Sequence, residues 1–440
     1  MNRSSDTSSF PLVILIAGSI VVLISMGIRA SHGLYLKPMS IDLGWGREIF
    51  AFAMAAQNLF WGALQPFAAA IAEKWGSGRV VAGGGVLYAI GLYLMSISTD
   101  PSSFNFSAGL LLGMAQSGCG LAAVLGVVGR SLPDSSRPLG LGIVTAFAGA
   151  GQFVVVPIGQ AFLTHYGWSI SFVLLGLMST IIIFTAYFLR SRRNEPQRLL
   201  TVNPARSSEV STPLYTEAKS IVTDIARGEP AEDEAAALNL DLKGMLFLAA
   251  KDKSYWLLTA GFFVCGFHVT FIGVHMPAYL DDKGLPADLG AYSLMLIALF
   301  NVFGSILAGF FGSRFPKKYL LTILYTLRAV TILIFIMVPI TISSVMLFSV
   351  MMGLLWLSTV PLTSGLVATI FGTRYMGTLF GIVFFSHQLG SFLGVWLGGY
   401  VFDATGSYEL VWWSGIVLGL TAAILHWPIK EESRAEVQTA

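Results

Sequence analysis

Two arginines, Arg29 and Arg328, lie well inside long apolar segments, whereas none of the 24 acidic residues does. A charge in the hydrocarbon core of a membrane costs at least about 2.5–3.5 kcal/mol, so such residues usually have a function. Without an embedded acid, each arginine needs backbone carbonyls, water or an anionic ligand. Because guanidinium binds carboxylates through two parallel hydrogen bonds, we expect Arg29 to bind an anion. We expect Arg328 to be structural, near the basic turn Arg314–Lys318.

Histidines accompany Arg29 in the sequence. His32 follows it by three residues and so shares its face of a helix. An internal repeat, described below, pairs Arg29 with His268, and His275 shares the face of His268 seven residues further on. Since imidazole titrates near neutral pH, these residues predict a cationic or proton-tunable pocket between two halves of the protein. The alternative is an arginine that extends to the headgroups and histidines that are packed and neutral.

Isolated polar residues on other apolar segments are further candidates for substrate contact. Most residues of this kind hydrogen-bond between helices, at about 0.6 kcal/mol each, and only a minority touch a ligand. The candidates for substrate binding are Gln57, Gln116, Gln152, Asn301 and His387.

Several kinds of chemistry are excluded. The chain has no phosphate-binding G-x-x-x-x-G-K-[ST] loop, so we do not expect ATP as an energy source. It has no Ser-His-Asp arrangement and no cluster of metal ligands, and two cysteines are too few for a disulfide framework. The near balance of 26 basic and 24 acidic residues argues against a nucleic-acid partner. We therefore expect neither an enzyme nor a bound cofactor.

The residues named above must be positioned by membrane-spanning helices. Of 440 residues, 55% are hydrophobic and 11% are charged, against about 25% charged in a typical soluble domain. Apolar runs of about 20 residues, each long enough to cross a bilayer as a helix, occur six times on either side of a polar segment. The sequence predicts an all-α membrane protein with these twelve spans: Pro11–Leu36, Glu48–Ala72, Arg79–Ile97, Phe104–Val128, Pro138–Leu163, Trp168–Leu189, Tyr255–Leu280, Leu289–Gly312, Tyr319–Ile340, Ser343–Ile370, Met376–Phe402 and Leu410–Trp427.

The pattern predicts two six-helix bundles, residues 1–190 and 254–440, joined by a linker at 191–253 that has room for one amphipathic helix. Basic residues favour the cytoplasmic side of a membrane. With a cytoplasmic N-terminus, 21 basic residues lie inside and three lie outside, namely Lys37, Arg47 and Lys283. We therefore expect a multi-pass protein of the plasma (inner) membrane, with both termini and the linker in the cytoplasm.

The two halves repeat each other at an offset of 239 or 240 in the numbering. The stretch from Met26 to Arg29 matches the stretch from Cys265 to His268, and Gly142 matches Gly381. The basic turn from Glu73 to Arg79 corresponds to the turn from Ser313 to Lys318. A parallel duplication of this kind places a transporter's substrate site between the halves, near the middle of the membrane.

This arrangement resembles the major facilitator superfamily of secondary transporters over essentially the whole chain. The family's G-x-x-x-D-R-x-G-x-R-R signature between spans 2 and 3 is represented by Ala69, Glu73, Lys74, Gly76 and Arg79. Its counterpart in the second half includes Gly309, Arg314 and Lys318. The resemblance implies that Glu73, Lys74, Arg79 and Arg314 cap helix ends and gate the pathway rather than bind substrate.

Within that superfamily the sequence is most similar to the monocarboxylate porter group, including its oxalate/formate antiporter branch. The similar stretches are Arg29 to Glu48, Trp61 to Pro66 and Arg137 to Gly151. In that group a basic residue on span 1 and an arginine on span 8 hold the substrate carboxylate. Here span 1 supplies Arg29, while span 8 has Asn301 and span 11 has His387 where the oxalate branch carries lysine.

The leading hypothesis is therefore a monomeric secondary transporter for a small organic anion, a monocarboxylate, driven by a proton or by exchange for a second anion. Histidine would carry the coupling proton, since the spans hold no acid. Two alternatives remain open at this point. One is an exporter of amphipathic or drug-like compounds, and the other is a transporter-like sensor that signals through the central loop.

Overall fold

The computed structural model describes residues 9–132, 137–189, 241–372 and 375–433, and all regular structure within those ranges is helical. The helices form twelve spans, numbered here in chain order. Spans 1 to 6 are Leu12–Asp42, Arg47–Trp75, Ser77–Ser96, Pro101–Ser131, and the two parts of Arg137–Ala186 on either side of Gly167. Spans 7 to 12 are Lys253–Asp282, Leu289–Gly312, Lys317–Met337, Ile342–Phe371, Met376–Thr405 and Glu409–His426.

Ten helices of the described ranges meet the length and hydropathy criteria for a membrane span. One of them, Gly140–Leu189, is 50 residues long and reverses at Gly167, whose φ of 75° is open to glycine but not to most residues, so it counts as two spans. Span 2 is the remaining one; its 29 residues include Gln57, Asn58 and Gln65, which lower its hydropathy. The predicted twelve-span, all-α architecture is confirmed.

Three spans are not continuous α-helices. Span 1 tightens into a 3₁₀ turn at His32–Tyr35 before it continues as Leu36–Asp42. Span 4 is interrupted at Gly120, whose backbone is extended, and span 10 is interrupted between Leu355 and Thr359. Broken helices at membrane depth occur where other protein groups satisfy the freed backbone atoms.

Helix packing among spans 1 to 6 is repeated among spans 7 to 12. Spans 1 and 5 pack together, as do spans 3 and 6, and the equivalent helices of the second half, spans 7 and 11 and spans 9 and 12, do the same. The halves meet where span 2 contacts span 11, span 5 contacts span 8, and span 1 contacts span 7. Large apolar side chains such as Phe184 and Ile424 lie exposed on the outer faces, as expected for a surface in contact with lipid.

Most of the predicted linker, together with the side chain of Glu73, lies outside the described residues. Within residues 241–253, one short helix, Leu242–Lys251, precedes span 7. Asp241 caps its first turn and Asp252 caps span 7, each by accepting a backbone N–H.

Candidate functional site

Arg29 lies on span 1, half-buried, and forms one side-chain hydrogen bond among the described residues. Its Nη2 donates to Oδ1 of Asn58 on span 2 at 2.6 Å. Asn58 is itself held by a hydrogen bond from its Nδ2 to the carbonyl of Met54. The guanidinium also lies 5.0 Å from the ring centroid of Trp61, one turn further along span 2. The arginine is thus positioned by neutral groups and keeps most of its five donors for another partner.

Aromatic rings connect Arg29 to the second half of the protein. Trp61 meets Phe384 of span 11 edge to face at 5.8 Å, and Phe384 stacks on the ring of His387 at 5.6 Å. The Nε1 of Trp61 is fixed by a hydrogen bond to Gln65. Gly62 permits this contact, because a Cβ there would lie 2.7 Å from Gln388. Two aromatic rings, those of Trp61 and Phe384, therefore lie between Arg29 in the first half and His387 in the second.

His32 and Gln57 are the least satisfied polar residues near Arg29. The His32 side chain is 1% exposed, and neither ring nitrogen has a hydrogen-bond partner among the described residues. Gln57, 2% exposed, lies beside His32 and close enough for a weak side-chain interaction with it, while its Nε2 forms no hydrogen bond of normal geometry among the described residues. Buried polar groups are normally paired, so an unpaired donor and two unpaired ring nitrogens next to an arginine are typical of a ligand site.

The predicted juxtaposition of Arg29 with His268 is wrong. The ring of His268 faces span 12, where its Nε2 is 2.7 Å from the carbonyl oxygen of Gly415. The cause is the register of the repeat. Gly151 on span 5 and its equivalent on span 11, Gly390, each pack against a carbonyl of a neighbouring helix, that of Leu23 on span 1 and that of Phe263 on span 7 respectively. Equivalent positions on spans 1 and 7, such as Leu23 and Phe263, therefore differ by 240 in number, and not by 239. A shift of one residue rotates a helical side chain by about 100°.

His275 is also turned into the second half, on the same side of span 7 as His268. Its Nε2 is 2.8 Å from the carbonyl of Val395 on span 11, and its Nδ1 is 3.2 Å from the hydroxyl of Tyr408. It is 1% exposed. Both ring nitrogens are therefore committed to neighbouring helices, and the structure does not bring His275 to Arg29.

The remaining predicted contacts divide between the halves. Gln116 donates to the hydroxyl of Tyr88 at 2.7 Å and to the carbonyl of Ser25, all within the first half. Asn301 accepts from the backbone N–H of Leu357 at 2.9 Å, which places it at the break in span 10. Gln152 is half-buried on span 5. Gln116 and Asn301 thus connect helices within their own halves.

Arg328 lies at the break in span 10 and not at the basic turn where the sequence suggested it. It follows Lys317 by three helical turns, about 16 Å, and is 0% exposed. Its Nε donates to the carbonyl of Leu355 at 2.9 Å, and its Nη2 donates to the carbonyls of Leu355 and Trp356. The arginine thus caps the first helix of span 10.

The break in span 4 has the same construction with different chemistry. At the span 4 break, the hydroxyl of Ser25 donates a hydrogen bond to the backbone carbonyl of Cys119. At the span 10 break, the thiol of Cys265 is hydrogen-bonded to the hydroxyl of Thr359. Gln116 contacts Tyr88 in the first half, and Trp356 contacts Arg328 in the second. Each residue of the second half carries a number 240 higher than its counterpart. The repeat thus places a guanidinium in one half where the other half has a phenol.

A cluster of charges joins the halves at one end of the molecule, which we call the Arg47 end. Both guanidinium nitrogens of Arg47, at the start of span 2, bind the carboxylate of Asp282, at the end of span 7, at 2.6 and 2.8 Å. Lys37 binds Asp281 and Asp282, and Asp403 accepts the first backbone N–H groups of span 2. The sequence analysis expected Lys37 and Arg47 outside but did not predict their ion pairs with Asp281 and Asp282. The signal that could have revealed these pairs is the presence of opposite charges at helix ends on the same side of the membrane.

The opposite end, where Lys74 and Arg79 lie, is less closely packed. At the Arg47 end, Gly33 abuts the backbone of Gly273, and a Cβ on Gly399 would lie 2.6 Å from Ala51. At the other end, nothing lies within 4 Å of a Cβ built on Gly142 or Gly381. The halves are therefore in close contact at the Arg47 end, whereas Gly142 and Gly381 at the other end have no such contact.

Of the predicted gating charges, those described lie at helix ends and are exposed. Arg79 donates to the carbonyl of Trp75, at the end of span 2, and Lys74 lies over the Trp75 ring. Arg314 lies over the ring of Phe310, on its own span. Of these contacts, the hydrogen bond from Arg79 caps the end of span 2. Among the described residues, the ion pairs that connect the halves are at the other end of the molecule.

Twelve spans in two repeated bundles, with polar residues buried where the bundles meet, define a membrane transporter rather than an enzyme. Comparison with known proteins identifies its family. A sequence profile of the Major Facilitator Superfamily matches residues 18–395, and the chain belongs to that family.

Curated relatives are similar at low identity. The chain is 26% identical over 347 residues to monocarboxylate transporter 13 of Rattus norvegicus, covering 78% of this chain and 71% of that protein. It is 24% identical over 417 residues to monocarboxylate transporter 7 of Homo sapiens, covering 83% and 76%. It is also 24% identical to the uncharacterized MFS-type transporter YcxA of Bacillus subtilis (strain 168), covering 93% and 92%.

Solved structures share the fold. A crystal structure of a D-xylose-proton symporter aligns with a TM-score of 0.69 at 13% identity, over 96% of this chain and 99% of that one. A bacterial homolog of the human lysosomal transporter Spinster aligns with a TM-score of 0.71 at 12% identity, over 96% and 97%. At this level of identity the likeness establishes architecture and carries no information about substrate.

Proposed function

We propose that this protein is a secondary active transporter that moves a small organic anion, a monocarboxylate, across the plasma membrane. The site between the two halves would open alternately to each side of the membrane. Coupling to a proton, or exchange for a second anion, would drive transport. The curated relatives named as monocarboxylate transporters support the substrate class. The protein would act as a monomer with both termini in the cytoplasm, an orientation that rests on the distribution of basic residues.

One observation carries the proposal: Arg29 is a half-buried guanidinium at membrane depth whose side-chain hydrogen bond goes to the neutral Asn58. No ion pair joins it to a carboxylate within the described ranges. An unpaired charge in this setting is costly, and a substrate carboxylate with two oxygens matches the guanidinium geometry. Binding of the anion would therefore relieve an unfavourable charge in the empty site.

The residues around Arg29 suggest what else the site recognises. His32 and Gln57 supply unpaired polar atoms beside the arginine, suited to a second oxygen of the substrate. Trp61 and Phe384 form an apolar wall between Arg29 and His387. The arrangement suits a molecule with one carboxylate at the arginine and a small apolar body against the rings.

The packing of the halves supports alternating access. The halves contact each other closely at the Arg47 end, which would face outside in the orientation that the basic residues favour. The opposite end, near Gly142 and Gly381, would then open toward the cytoplasm. Transport requires the reverse arrangement as well, in which the contacts of Arg47 and Lys37 separate and the opposite ends of spans 5 and 11 approach their partners.

Uptake of labelled monocarboxylates into proteoliposomes tests the proposal. We expect Arg29→Ala to abolish uptake, because no other described basic side chain contacts Asn58 or Trp61. Arg29→Lys should keep part of the activity, since it retains the charge without the bidentate geometry. Lys243→Ala, which removes an exposed basic residue on the short helix before span 7, is the control and should transport normally. Wild-type uptake by Arg29→Ala would disprove the assignment of Arg29.

A further inference from the structure

His275 is a buried histidine that fills a slot between spans 7 and 11. Gly398 of span 11 makes room for it, because a Cβ at that position would overlap Nε2 of the imidazole. On its other side the ring packs on Phe271, with the centroids 5.4 Å apart. Nε2 lies 2.8 Å from the carbonyl oxygen of Val395. A carbonyl can only accept a hydrogen bond, so Nε2 carries a proton.

The second ring nitrogen sets the direction of a chain of hydrogen bonds. A neutral imidazole with its proton on Nε2 has an acceptor at Nδ1. The hydroxyl of Tyr408, 3.2 Å away, therefore donates to Nδ1. The oxygen of the same hydroxyl accepts from Nη1 of Arg47 at 2.8 Å, and Arg47 binds the carboxylate of Asp282. A single hydroxyl thus connects His275 to the ion pair that joins the halves.

We propose that His275 is a proton sensor that controls the Arg47 end of the transporter. In its neutral form it holds the Tyr408 hydroxyl toward Arg47 and stabilises the closed contact between the halves. When an N–H bond forms at Nδ1 with a proton taken from water, the chain is broken and this end opens. The consequence for transport rests on the alternating access and the orientation proposed above, whereas the sensor itself does not.

The hydrogen bonds available at Tyr408 explain why a proton opens this end. A protonated imidazole donates through both nitrogens, so the Tyr408 O–H loses its acceptor. In the closed arrangement the Tyr408 oxygen would then accept from two cations, Arg47 and His275, and like charges repel strongly when they are buried. When Arg47 moves away with span 2, the oxygen can accept from His275 alone. Lower pH therefore favours the open form.

The groups that face His275 include one cation and no carboxylate partner. Arg47 of span 2 and Tyr408 of span 12 are the charged and titratable side chains connected to it. Further groups on the packed elements form no hydrogen bond or ion pair with it in the described structure: Lys37 of span 1, Glu48 of span 2, Asp281 and Asp282 of span 7, Asp403 of span 11 and Glu409 of span 12. Free carboxyls titrate near pH 4 and free histidine near pH 6.5, so a range of about pH 8 to about pH 5.5 separates the two.

His268 is a matched control on the same helix. It is also 1% exposed, and its Nε2 is also hydrogen-bonded to a carbonyl, that of Gly415 at 2.7 Å. Its Nδ1 has no hydrogen-bond partner among the described residues, so no chain connects it to Arg47. Substitution of either histidine by glutamine keeps a donor and an acceptor but removes the titration.

Distances between spin labels on the ends of spans 2 and 7 at the Arg47 end test the sensor in the purified full-length protein. We expect the ratio of open to closed molecules to rise at least tenfold from pH 8 to pH 5.5. His275→Gln should stay closed at both pH values, and His268→Gln should respond as wild type does. A constant ratio in wild type, or a tenfold change that persists in His275→Gln, would overturn the proposal.

Tyr408→Phe tests the connection without altering either histidine. It removes the hydroxyl between His275 and Arg47 but keeps the ring. We expect a larger open fraction at pH 8 and a ratio that changes less than twofold between pH 8 and pH 5.5. The full response of wild type in Tyr408→Phe would exclude the hydroxyl as the link and overturn the proposed mechanism, even if His275→Gln does not fold.

Exchange of labelled carboxylate in proteoliposomes, at equal pH on both sides, tests the consequence for transport. The rate should depend on pH in wild type and in His268→Gln, and that dependence should be lost in His275→Gln. The same pH profile in all three, together with the distance response described above, would overturn the role of His275 in transport. If the wild-type protein transports no carboxylate, the function proposed above fails, and the distances still decide whether His275 is the sensor.

Discussion

Arg47 and Asp282 form a bidentate ion pair that joins the first residue of span 2 to the last residue of span 7, and so one half of the protein to the other. The hydroxyl of Tyr408 lies 2.8 Å from Nη1 of the same arginine, and the ring of Phe402 lies 3.7 Å from its Cζ. The side chains of the pair are 9% and 25% exposed. The pair closes the Arg47 end and must break for the site to open there.

Removing the ion pair should favour the conformation that is open at the Arg47 end. Hydrogen bonds to charged groups contribute about 1.5–3 kcal/mol each, and partial exposure puts Asp282→Asn at the low end of that range. A change of about 1.4 kcal/mol shifts a two-state population tenfold. Distances between spin labels on the ends of spans 2 and 7 would report the shift.

Reversal of the two charges is the control for this prediction. The double variant Arg47→Asp, Asp282→Arg should restore part of the closed population, whereas either single reversal should abolish it. Lys37 remains as a partner for Asp281 in each case. An unchanged distance distribution in Asp282→Asn would show that the helix contacts alone close this end.

Close helix contact at the same end should be sensitive to a single methyl group. Gly33 lies in the 3₁₀ turn of span 1, and a Cβ there would overlap the carbonyl oxygen of Gly273 on span 7. Gly33→Ala should therefore hinder closure and slow transport at least tenfold, since backbone atoms cannot move aside as a flexible side chain can. Gly83→Ala, where the added Cβ meets nothing within 4 Å, should transport normally. Equal rates for the two variants would contradict this view of the contact.

The sequence was sufficient to predict the twelve spans and the embedded Arg29, since both depend on hydropathy and on the cost of burying charge. It could not predict which residue faces Arg29. An offset of 239 in the numbering fits spans 5 and 11, but contacts relate spans 1 and 7 by an offset of 240, so Val269 and not His268 corresponds to Arg29. When a repeat contains gaps, the alignment does not determine how each helix is rotated about its axis. A shift of one residue in the alignment then moves a side chain to a different face of the helix.

The charges at the Arg47 end were visible in the sequence, but their pairing was not. Lys37 and Arg47 lie in the first half and Asp281 and Asp282 in the second, so the partners are far apart along the chain. Their contact depends on which end of the two-bundle structure is closed. Likewise, Arg328 caps span 10 at a break in that helix, and the hydropathy of the span 10 sequence does not reveal the break.

His32 should contribute to function and not to stability. Its buried ring has two nitrogens without partners in the described structure, and an unsatisfied buried polar group costs about 1–3 kcal/mol. His32→Phe fills a similar volume without polar atoms, so the melting temperature should stay the same or rise. If His32 contacts the substrate, the KM for uptake should rise about tenfold, which corresponds to one hydrogen bond. A lower melting temperature with an unchanged KM would indicate a packing role.

Asn301 should stabilise the break in span 10 without touching the substrate. Its Oδ1 accepts the N–H of Leu357, one of the backbone groups that the break leaves without an intrahelical partner. Asn301→Leu keeps the side-chain volume but leaves that N–H unpaired, at a cost of about 1–3 kcal/mol. We expect a melting temperature a few degrees lower, with KM unchanged in the molecules that remain folded. Ser305→Ala is the control, because it removes a 3.4 Å contact to the same Oδ1 and should have little effect. A raised KM with normal stability in Asn301→Leu would instead place Asn301 in the substrate site, where the sequence had suggested it.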